Sequence, residues 1–218
     1  MHAVTRLGLA LALALAGLGI ASSNAAGQFL PSPDASTLPA RAVLVGLRFG
    51  TTPDSSLGHF VIVVRSRHSI AIPFSGVSCE LEAGSDFRLA SDQLDPRVTA
   101  HCGTHAVSTV SGGDGTAHFT ILGGGRSPAG APAAANRLIV HADGVRLGTI
   151  PLTCYDLNGT SGLELADVSA WGRDFFGNLD PVRADFDADG RVDLLDLSLW
   201  SALYLQGAYG GSPAAYCP

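Results

Sequence analysis

The sequence predicts a two-part chain: an all-β sandwich over residues 41–152, followed by a small α-helical module, residues 153–218, with two acidic loops. Apolar and polar residues alternate through much of the first part, as they do in half-buried strands. The second part contains an internal repeat with a period of 29 residues, in which an acidic loop precedes a helical pattern. Ten of the 19 acidic residues lie in this second part, between Cys154 and Pro218.

Residues 1–26 predict a signal peptide that is removed on export. Arg6 precedes an apolar run over residues 7–20, and Ser23 and Ala25 stand at the −3 and −1 positions of a cleavage site. The run is short for a helix that must cross a hydrocarbon core about 30 Å thick. We therefore expect a secreted protein, extracellular or at the cell surface, without a membrane span.

The next two stretches predict a linker and a β-domain. Residues 27–40 are rich in proline and small polar residues, which favours an extended linker. Residues 41–152 contain about seven short strand patterns, which is typical of a β-sandwich. Apolar and polar residues alternate strictly over residues 77–82, and the turn dipeptide Asp143-Gly144 predicts a hairpin.

Four cysteines stand in a chain that we expect to enter an oxidising compartment, where an even number favours disulfides. Three pairings of four cysteines are possible. We favour Cys79 with Cys102 and Cys154 with Cys217, because each bridge then lies within one predicted part of the chain. Each would stabilise the fold by roughly 3 to 4 kcal/mol in the chain-entropy model.

The charge of the chain argues against nucleic acid as a partner. All 13 basic residues are arginine, and the net charge is -6, whereas phosphate binding needs clustered basic residues. Between Cys154 and Pro218 the carboxylates outnumber the arginines by ten to three, and they repel one another unless cations are bound. The sequence has neither a nucleophile-elbow motif nor the lysine of a phosphate-binding loop, so we expect no enzyme activity.

The second copy of the repeat, residues 185–196, has the residue types that a calcium loop needs. Calcium takes about six to eight oxygen ligands at roughly 2.3 to 2.6 Å. Oxygen-bearing side chains stand at loop positions 1, 3, 5, 9 and 12, position 7 offers a backbone carbonyl, and Gly190 at position 6 permits the sharp bend. The predicted ligands are Asp185, Asp187, Asp189, the carbonyl of Arg191, Asp193 and Asp196.

The first copy, residues 156–167, fits the same pattern less well. Thr160 replaces the acidic residue at position 5, and Ser161 replaces the glycine at position 6. A threonine hydroxyl can bind calcium but brings no charge, so we expect weaker binding here and leave open whether the loop is occupied. The predicted ligands are Asp156, Asn158, Thr160, the carbonyl of Gly162, Glu164 and Asp167.

A helical pattern follows each loop, with apolar residues at i, i+3 and i+7 on one face. The two tryptophans occupy equivalent places in the repeat, and we expect them in the core rather than on a carbohydrate-binding surface. The matched positions are Val168, Trp171 and Phe175 in the first copy and Leu197, Trp200 and Tyr204 in the second.

Residues 154–207 resemble a type I dockerin: a duplicated Asp-x-Asn/Asp-x-Asp-Gly loop that ends in aspartate and precedes a helix. The resemblance implies EF-hand-type loops that lack the entering helix, folding that depends on calcium, and docking onto a cohesin-type domain. The dockerin family often has small polar residues at loop positions 10 and 11, whereas this chain has apolar ones, so these leucines could equally belong to the core. The contact positions that the resemblance implies are Leu165, Ala166, Arg173, Leu194, Leu195, Ser201 and Ala202.

Residues 60–79 and 113–121 resemble bacterial immunoglobulin-like domains of the invasin and intimin type, in which a Gly-x-Ala-x-Phe-like strand follows a tight turn. Such a domain implies a spacer or an adhesion module. Together, the two resemblances predict a secreted, non-catalytic calcium-binding protein that attaches to a cohesin-type partner. The alternatives are a structural or adhesive surface protein in which calcium only stabilises the C-terminal part, and an accessory component of a polysaccharide-degrading complex.

Overall fold

A computed structural model describes residues 29–46, 57–93, 95–125, 136–159, 163–177, 183–187, 189–205 and 215–218. The predicted signal peptide, residues 1–26, lies outside the described residues, and so do the ligand candidates Thr160 and Gly162. Among the described residues, no helix combines the length and the apolar character needed to cross a membrane.

The described part of the chain is mainly β-structure, with one six-stranded sheet and two short strand pairs. The large sheet has the order β1-β10-β9-β3-β6-β5, and the pairs are β2-β7 and β4-β8. Strand β1 runs parallel to β10, and the other pairings are antiparallel. The bounds are β1 Ala42–Leu44, β2 His59–Val63, β3 Gly76–Leu81, β4 Phe87–Leu89, β5 Thr99–His101, β6 Ala106–Val110, β7 Thr116–Thr120, β8 Gly123–Gly125, β9 Arg137–Ala142 and β10 Val145–Cys154.

Two local predictions about the strands are confirmed. In β3 the alternation buries Val77, Cys79 and Leu81. Strands β9 and β10 form the predicted hairpin, and both central residues of its turn have positive φ, 47° at Asp143 and 80° at Gly144. Positive φ at both positions is the geometry that joins two twisted antiparallel strands with a two-residue loop.

The two α-helices in the described residues are α1, Leu165–Gly177, and α2, Leu194–Leu205, and a short 3-10 helix spans Cys102–Thr104. The α-helices begin 29 residues apart, which is the period of the sequence repeat. Trp171 of α1 and Trp200 of α2 are both buried, so the prediction that they are core residues is confirmed. They pack in a cluster that also contains Val45, Ala90 and Leu122, which lie beside the strands.

The predicted fold class, an all-β immunoglobulin-like sandwich followed by a small α-helical dockerin-like module with two EF-hand-type loops, is wrong. An immunoglobulin-like sandwich packs two antiparallel sheets of several strands face to face. Here one six-stranded sheet has a parallel edge pair, and the remaining strands form only pairs. The helices share a hydrophobic cluster with strand-flanking residues instead of forming a module of their own. Alternating residues identify strands but leave their partners undetermined, and sheet topology depends on those partners.

The favoured disulfide pairing is also wrong. Cys102 is bonded to Cys217 with a Cα–Cα distance of 5.1 Å, and Cys79 and Cys154 are free and buried. Cys79 lies opposite Val140 of β9, which pairs with Gly148 of β10. Cys154 lies six residues further along β10, or about 20 Å at 3.3 Å per residue, so the two free thiols are far apart.

The described part of the predicted linker, residues 29–40, is hydrogen-bonded to the end of β2 and the residues that follow it. The amide of Ser32 donates to the carbonyl of Arg65 at 2.8 Å, and Thr37 exchanges two backbone hydrogen bonds with Val63. Leu38 packs against the core of the sheet. This segment therefore leads into β1 as part of the folded structure.

Candidate metal centre

The second loop brings three of its predicted ligands together. One carboxylate oxygen from each of Asp185, Asp187 and Asp189 lies within 4.8 Å of the others. Two oxygens that bind one calcium ion at about 2.3 to 2.6 Å are separated by at most roughly 5 Å, so this spacing fits such a cation. Asp185 is buried, whereas Asp187 and Asp189 are exposed, so the cluster is open towards solvent.

Backbone hydrogen bonds shape the loop around this cluster. Gly190 has a φ of 89°, a conformation that favours glycine, and its amide donates to Oδ2 of Asp185 at 2.9 Å. The amide of Asp189 donates to Oδ1 of Asp187 at 3.0 Å, and the amide of Arg191 donates to Oδ1 of Asp189 at 2.8 Å. These hydrogen bonds hold the carboxylates of Asp185, Asp187 and Asp189 against the backbone of the loop.

The predicted ligands at positions 9 and 12 have other partners. Oδ1 of Asp193 accepts the amide of Leu195 at 2.7 Å, which is the contact of a helix N-cap at the start of α2. Asp196 is buried and accepts backbone amides from Phe186 at 2.6 Å and from Asp193 at 2.8 Å. Neither residue belongs to the cluster of three, so the structure brings together three of the five predicted carboxylate ligands of this loop.

The environment of Asp196 disfavours its charged form. Burial raises the pKa of its carboxyl, and the nearby carboxylate of Asp187 adds to this effect, while the three backbone amides oppose it. A divalent cation in the loop would reverse that balance, because it would stabilise the charged form of every carboxylate around it.

The first loop is hydrogen-bonded in a related way. Oδ1 of Asp167 accepts the amide of Asn158 at 3.1 Å, and its Oδ2 accepts the amide of Glu164 at 2.9 Å. The side-chain amide of Asn158 donates to Oε1 of Glu164 at 3.2 Å. Burial and the carboxylate of Asp156 raise the pKa of Asp167 to about 7. The described ligand candidates of this loop form no group of three converging carboxylates.

Asp156, at position 1 of the first loop, is fully buried and binds groups from the protein. The amide of Gly159 donates to its Oδ1 at 2.6 Å, and the hydroxyl of Tyr216 donates to its Oδ2. The guanidinium of Arg88 lies 4.7 Å from the ring centroid of Tyr216 and donates to the carbonyl of Gly159 at 2.8 Å. This loop is therefore closed by the C-terminal segment, which the bond between Cys102 and Cys217 holds in place.

Two arginines form ion pairs at the second loop: Arg183, just before the loop, pairs with α1, and Arg41 pairs with the first residue of the loop. Arg183 forms a buried two-pronged ion pair with Asp174 of α1, with Nε–Oδ2 and Nη2–Oδ1 distances of 2.7 and 2.9 Å. Nη1 of Arg41 lies 2.9 Å from Oδ2 of Asp185 and also donates to the Asp185 carbonyl. Sequence reasoning missed Arg41 and Tyr216, because both reach their loop from distant parts of the chain and no local pattern marks them.

The residues predicted to contact a partner lie mostly on the surface. Leu165 and Leu194 are each 68% exposed and Leu195 is 55% exposed, so these leucines are surface residues rather than core. Ser201 is partly buried, and the remaining predicted positions, Ala166, Arg173 and Ala202, are exposed. The two helices thus begin with matching exposed leucines at loop position 10.

No protein-family model matches the chain, and neither a curated protein nor a solved structure is detectably similar to it. The family resemblances described above therefore remain predictions from the sequence. The fold and the site together define a β-rich protein with a duplicated acidic loop. The second copy of this loop brings three carboxylates together.

Proposed function

We propose that this chain is a secreted, non-catalytic calcium-binding protein and that calcium binds in the second loop, residues 185–196. The observation that carries the proposal is the convergence of Asp185, Asp187 and Asp189 at loop positions 1, 3 and 5. Oxygen donors of this kind suit a hard divalent cation rather than a soft one, which prefers sulfur or imidazole.

Calcium would stabilise the C-terminal part by offsetting the repulsion among its carboxylates. Five aspartates stand between residues 185 and 196, with Arg191 as the only basic residue in the loop itself. Like charges held close together oppose folding, and a bound divalent ion turns that repulsion into attraction. We assign the first loop a weaker role, because its position-1 carboxylate is buried against Tyr216 and Thr160 replaces the aspartate at position 5.

Calorimetric titration of the purified full chain with calcium tests this proposal. We expect saturable binding that is weakened at least tenfold by Asp187→Asn and by Asp189→Asn, because each removes one charge from the cluster. Asp92→Asn changes an exposed aspartate elsewhere and serves as the control. The proposal fails if the wild-type chain binds no calcium at millimolar concentration, or if the three variants bind it equally well.

A second function, attachment to a protein partner, is supported by the exposed leucines at the start of α1 and α2. Large apolar side chains on a surface are more often contact residues than solvated ones when they occur as a patch. The resemblance stated above implies a cohesin-type partner, and calcium would then hold α2 in the orientation that presents Leu194 and Leu195. The alternative is that calcium only stabilises the fold and that these leucines bind nothing.

Retention of the full chain on immobilised cohesin domains, with calcium and with chelator, separates these alternatives. Attachment predicts retention that needs calcium and is lost in the double variant Leu194→Asp, Leu195→Asp. The double variant Arg67→Asp, Ile70→Asp changes an exposed loop after β2 and should leave retention unchanged. A chain that binds calcium and folds but is not retained supports the purely structural role.

A further inference from the structure

The cluster of three aspartates already has a positively charged neighbour within the protein. Arg41 immediately precedes β1, and its Nη1 lies 2.9 Å from Oδ2 of Asp185. The same nitrogen donates to the backbone carbonyl of Asp185. The two side chains are 13% and 1% exposed, so water weakens this ion pair much less than it weakens an ion pair on the surface. Asp185 is the one buried member of the cluster, and Arg41 is held against it.

A calcium ion bound to Asp185 would lie close to this guanidinium. The ion sits about 2.3 to 2.6 Å from its oxygen ligands, and the two oxygens of a carboxylate are about 2 Å apart, so the distance from the ion to Nη1 cannot exceed roughly 8 Å. Over such a distance inside a protein, a divalent and a monovalent cation repel each other strongly. Calcium and Arg41 therefore interact unfavourably whichever oxygen of Asp185 the ion takes.

We propose that Arg41 acts as an internal cation that competes with calcium for Asp185 and so sets the calcium affinity of the second loop. This inference rests on the proposed function. In the calcium-free protein Arg41 offsets part of the repulsion among the aspartates, and in the calcium-bound protein it opposes the ion. By thermodynamic linkage, a residue that stabilises the calcium-free state more than the bound state weakens binding.

The first loop supports this interpretation by contrast. Its position-1 carboxylate, Asp156, also accepts a hydrogen bond from outside the repeat, but the donor is the neutral hydroxyl of Tyr216. Each position-1 aspartate thus has a partner supplied by a distant segment, a tyrosine hydroxyl in the first loop and an arginine guanidinium in the second. The competition that we infer is therefore a property of the pair formed by Arg41 and Asp185.

Calorimetry and thermal unfolding of full-length Arg41→Gln, compared with wild type, test the inference. We expect the calcium dissociation constant to fall by about tenfold, because glutamine removes the charge and keeps a polar side chain. The unfolding temperature should fall in chelator, and the rise in that temperature on adding calcium should be larger than in wild type. Arg146→Gln, which changes an exposed arginine on β10, is the control and should leave all three values unchanged.

Equal or weaker calcium binding by Arg41→Gln, while the wild type binds calcium, overturns the inference and leaves the proposed function standing. Absence of calcium binding in both proteins overturns the proposed function as well. If Arg41→Gln does not fold in chelator, Arg41→Lys replaces it, since a lysine ammonium keeps the charge but holds a carboxylate at fewer points. That variant should bind calcium more tightly than wild type by a smaller factor, and equal affinity contradicts the proposal.

Discussion

Asp167 and Asp196, which stand 29 residues apart, hold their loops closed in the same way. Each carboxylate accepts the backbone amides of loop positions 3 and 9, from Asn158 and Glu164 in the first loop and from Asp187 and Asp193 in the second. The internal repeat is therefore present in the hydrogen bonds as well as in the sequence. Both aspartates are buried, and each lies in the first turn of its helix.

We predict that Asp167→Ala and Asp196→Ala each destabilise the protein even in the presence of chelator. Each change leaves backbone amides without their acceptor, at a cost of about 1 to 3 kcal/mol in the free energy of unfolding. Chemical denaturation in chelator measures this cost. Losses that appear only when calcium is present would show that these carboxylates act solely as metal ligands.

The two loops should differ in their contribution to calcium binding. Asp187 and Asn158 both occupy loop position 3, but Asp187 brings a charge and belongs to the converging cluster, whereas asparagine is neutral. We expect Asp187→Ala to weaken the dominant calcium affinity at least tenfold and Asn158→Ala to change it less than threefold, since a lost ligand charge weakens calcium binding strongly. Calorimetry on both variants checks the ranking, and equal losses would contradict it.

The bond between Cys102 and Cys217 should provide a large part of the stability. It closes a loop with a sequence separation of 115 residues, for which the chain-entropy model gives roughly 4 to 5 kcal/mol. The double variant Cys102→Ser, Cys217→Ser should lose about that much in denaturant unfolding. Cys79→Ser is the control: Cys79 forms no disulfide, so this change should lower the free energy of unfolding by less than the double variant does.

Cys79 and Cys154 should resist alkylation in the native protein. Burial raises the pKa of both thiols, so few thiolates are present at neutral pH, and both side chains are inaccessible. Mass spectrometry after treatment with iodoacetamide, with and without denaturant, measures this. Rapid native labelling of either thiol, or a disulfide that contains one of them, would contradict the observed pairing.

The contribution of His59 to stability should fall as the pH is lowered from 7 to 5, opposite in sign to that of Asp167, whose raised pKa favours the folded state at lower pH. Its Nε2 lies 3.1 Å from Nδ1 of His118, across the pair formed by β2 and β7. Burial lowers the pKa of His59, with smaller contributions from His118 and Arg97, while Asp95 opposes the shift. At His59 the folded state therefore binds fewer protons than the unfolded chain, so the contribution of this residue to stability decreases below about pH 6.5.

The matched comparison for this effect is His59→Gln against His68→Gln. His68 is exposed and hydrogen-bonds to Arg67 instead of to another histidine. As the pH is lowered, the unfolding temperature of His59→Gln should rise relative to that of wild type, and the difference between His68→Gln and wild type should stay constant. Identical pH slopes in the wild type and His59→Gln would contradict the lowered pKa of His59.

The features that could be predicted from the sequence are those that depend on residues close together in the chain. The hairpin at Asp143-Gly144, the burial of both tryptophans and the presence of a helix after each loop follow from short patterns among residues that are close in the sequence. The convergence of Asp185, Asp187 and Asp189 also follows from alternate spacing in a tight loop.

The contacts that the sequence did not reveal join distant segments. Arg41 and Asp185 are 144 residues apart, and Tyr216 and Asp156 are 60 apart. The disulfide partners and the strand order were missed for the same reason, because any of several pairings satisfies the local pattern equally well. The geometry of the whole chain selects among them through burial and register.

A two-dimensional NMR titration that follows the backbone amide of Gly190 tests calcium binding in the second loop most directly. This amide donates to Oδ2 of Asp185 at 2.9 Å and so responds to any ion held by that carboxylate. We predict a large, saturable shift of this signal with calcium that chelator reverses and that needs at least tenfold more calcium in Asp187→Asn. Saturation of the protein with calcium while the signals of residues 185–196 stay unmoved would contradict the account.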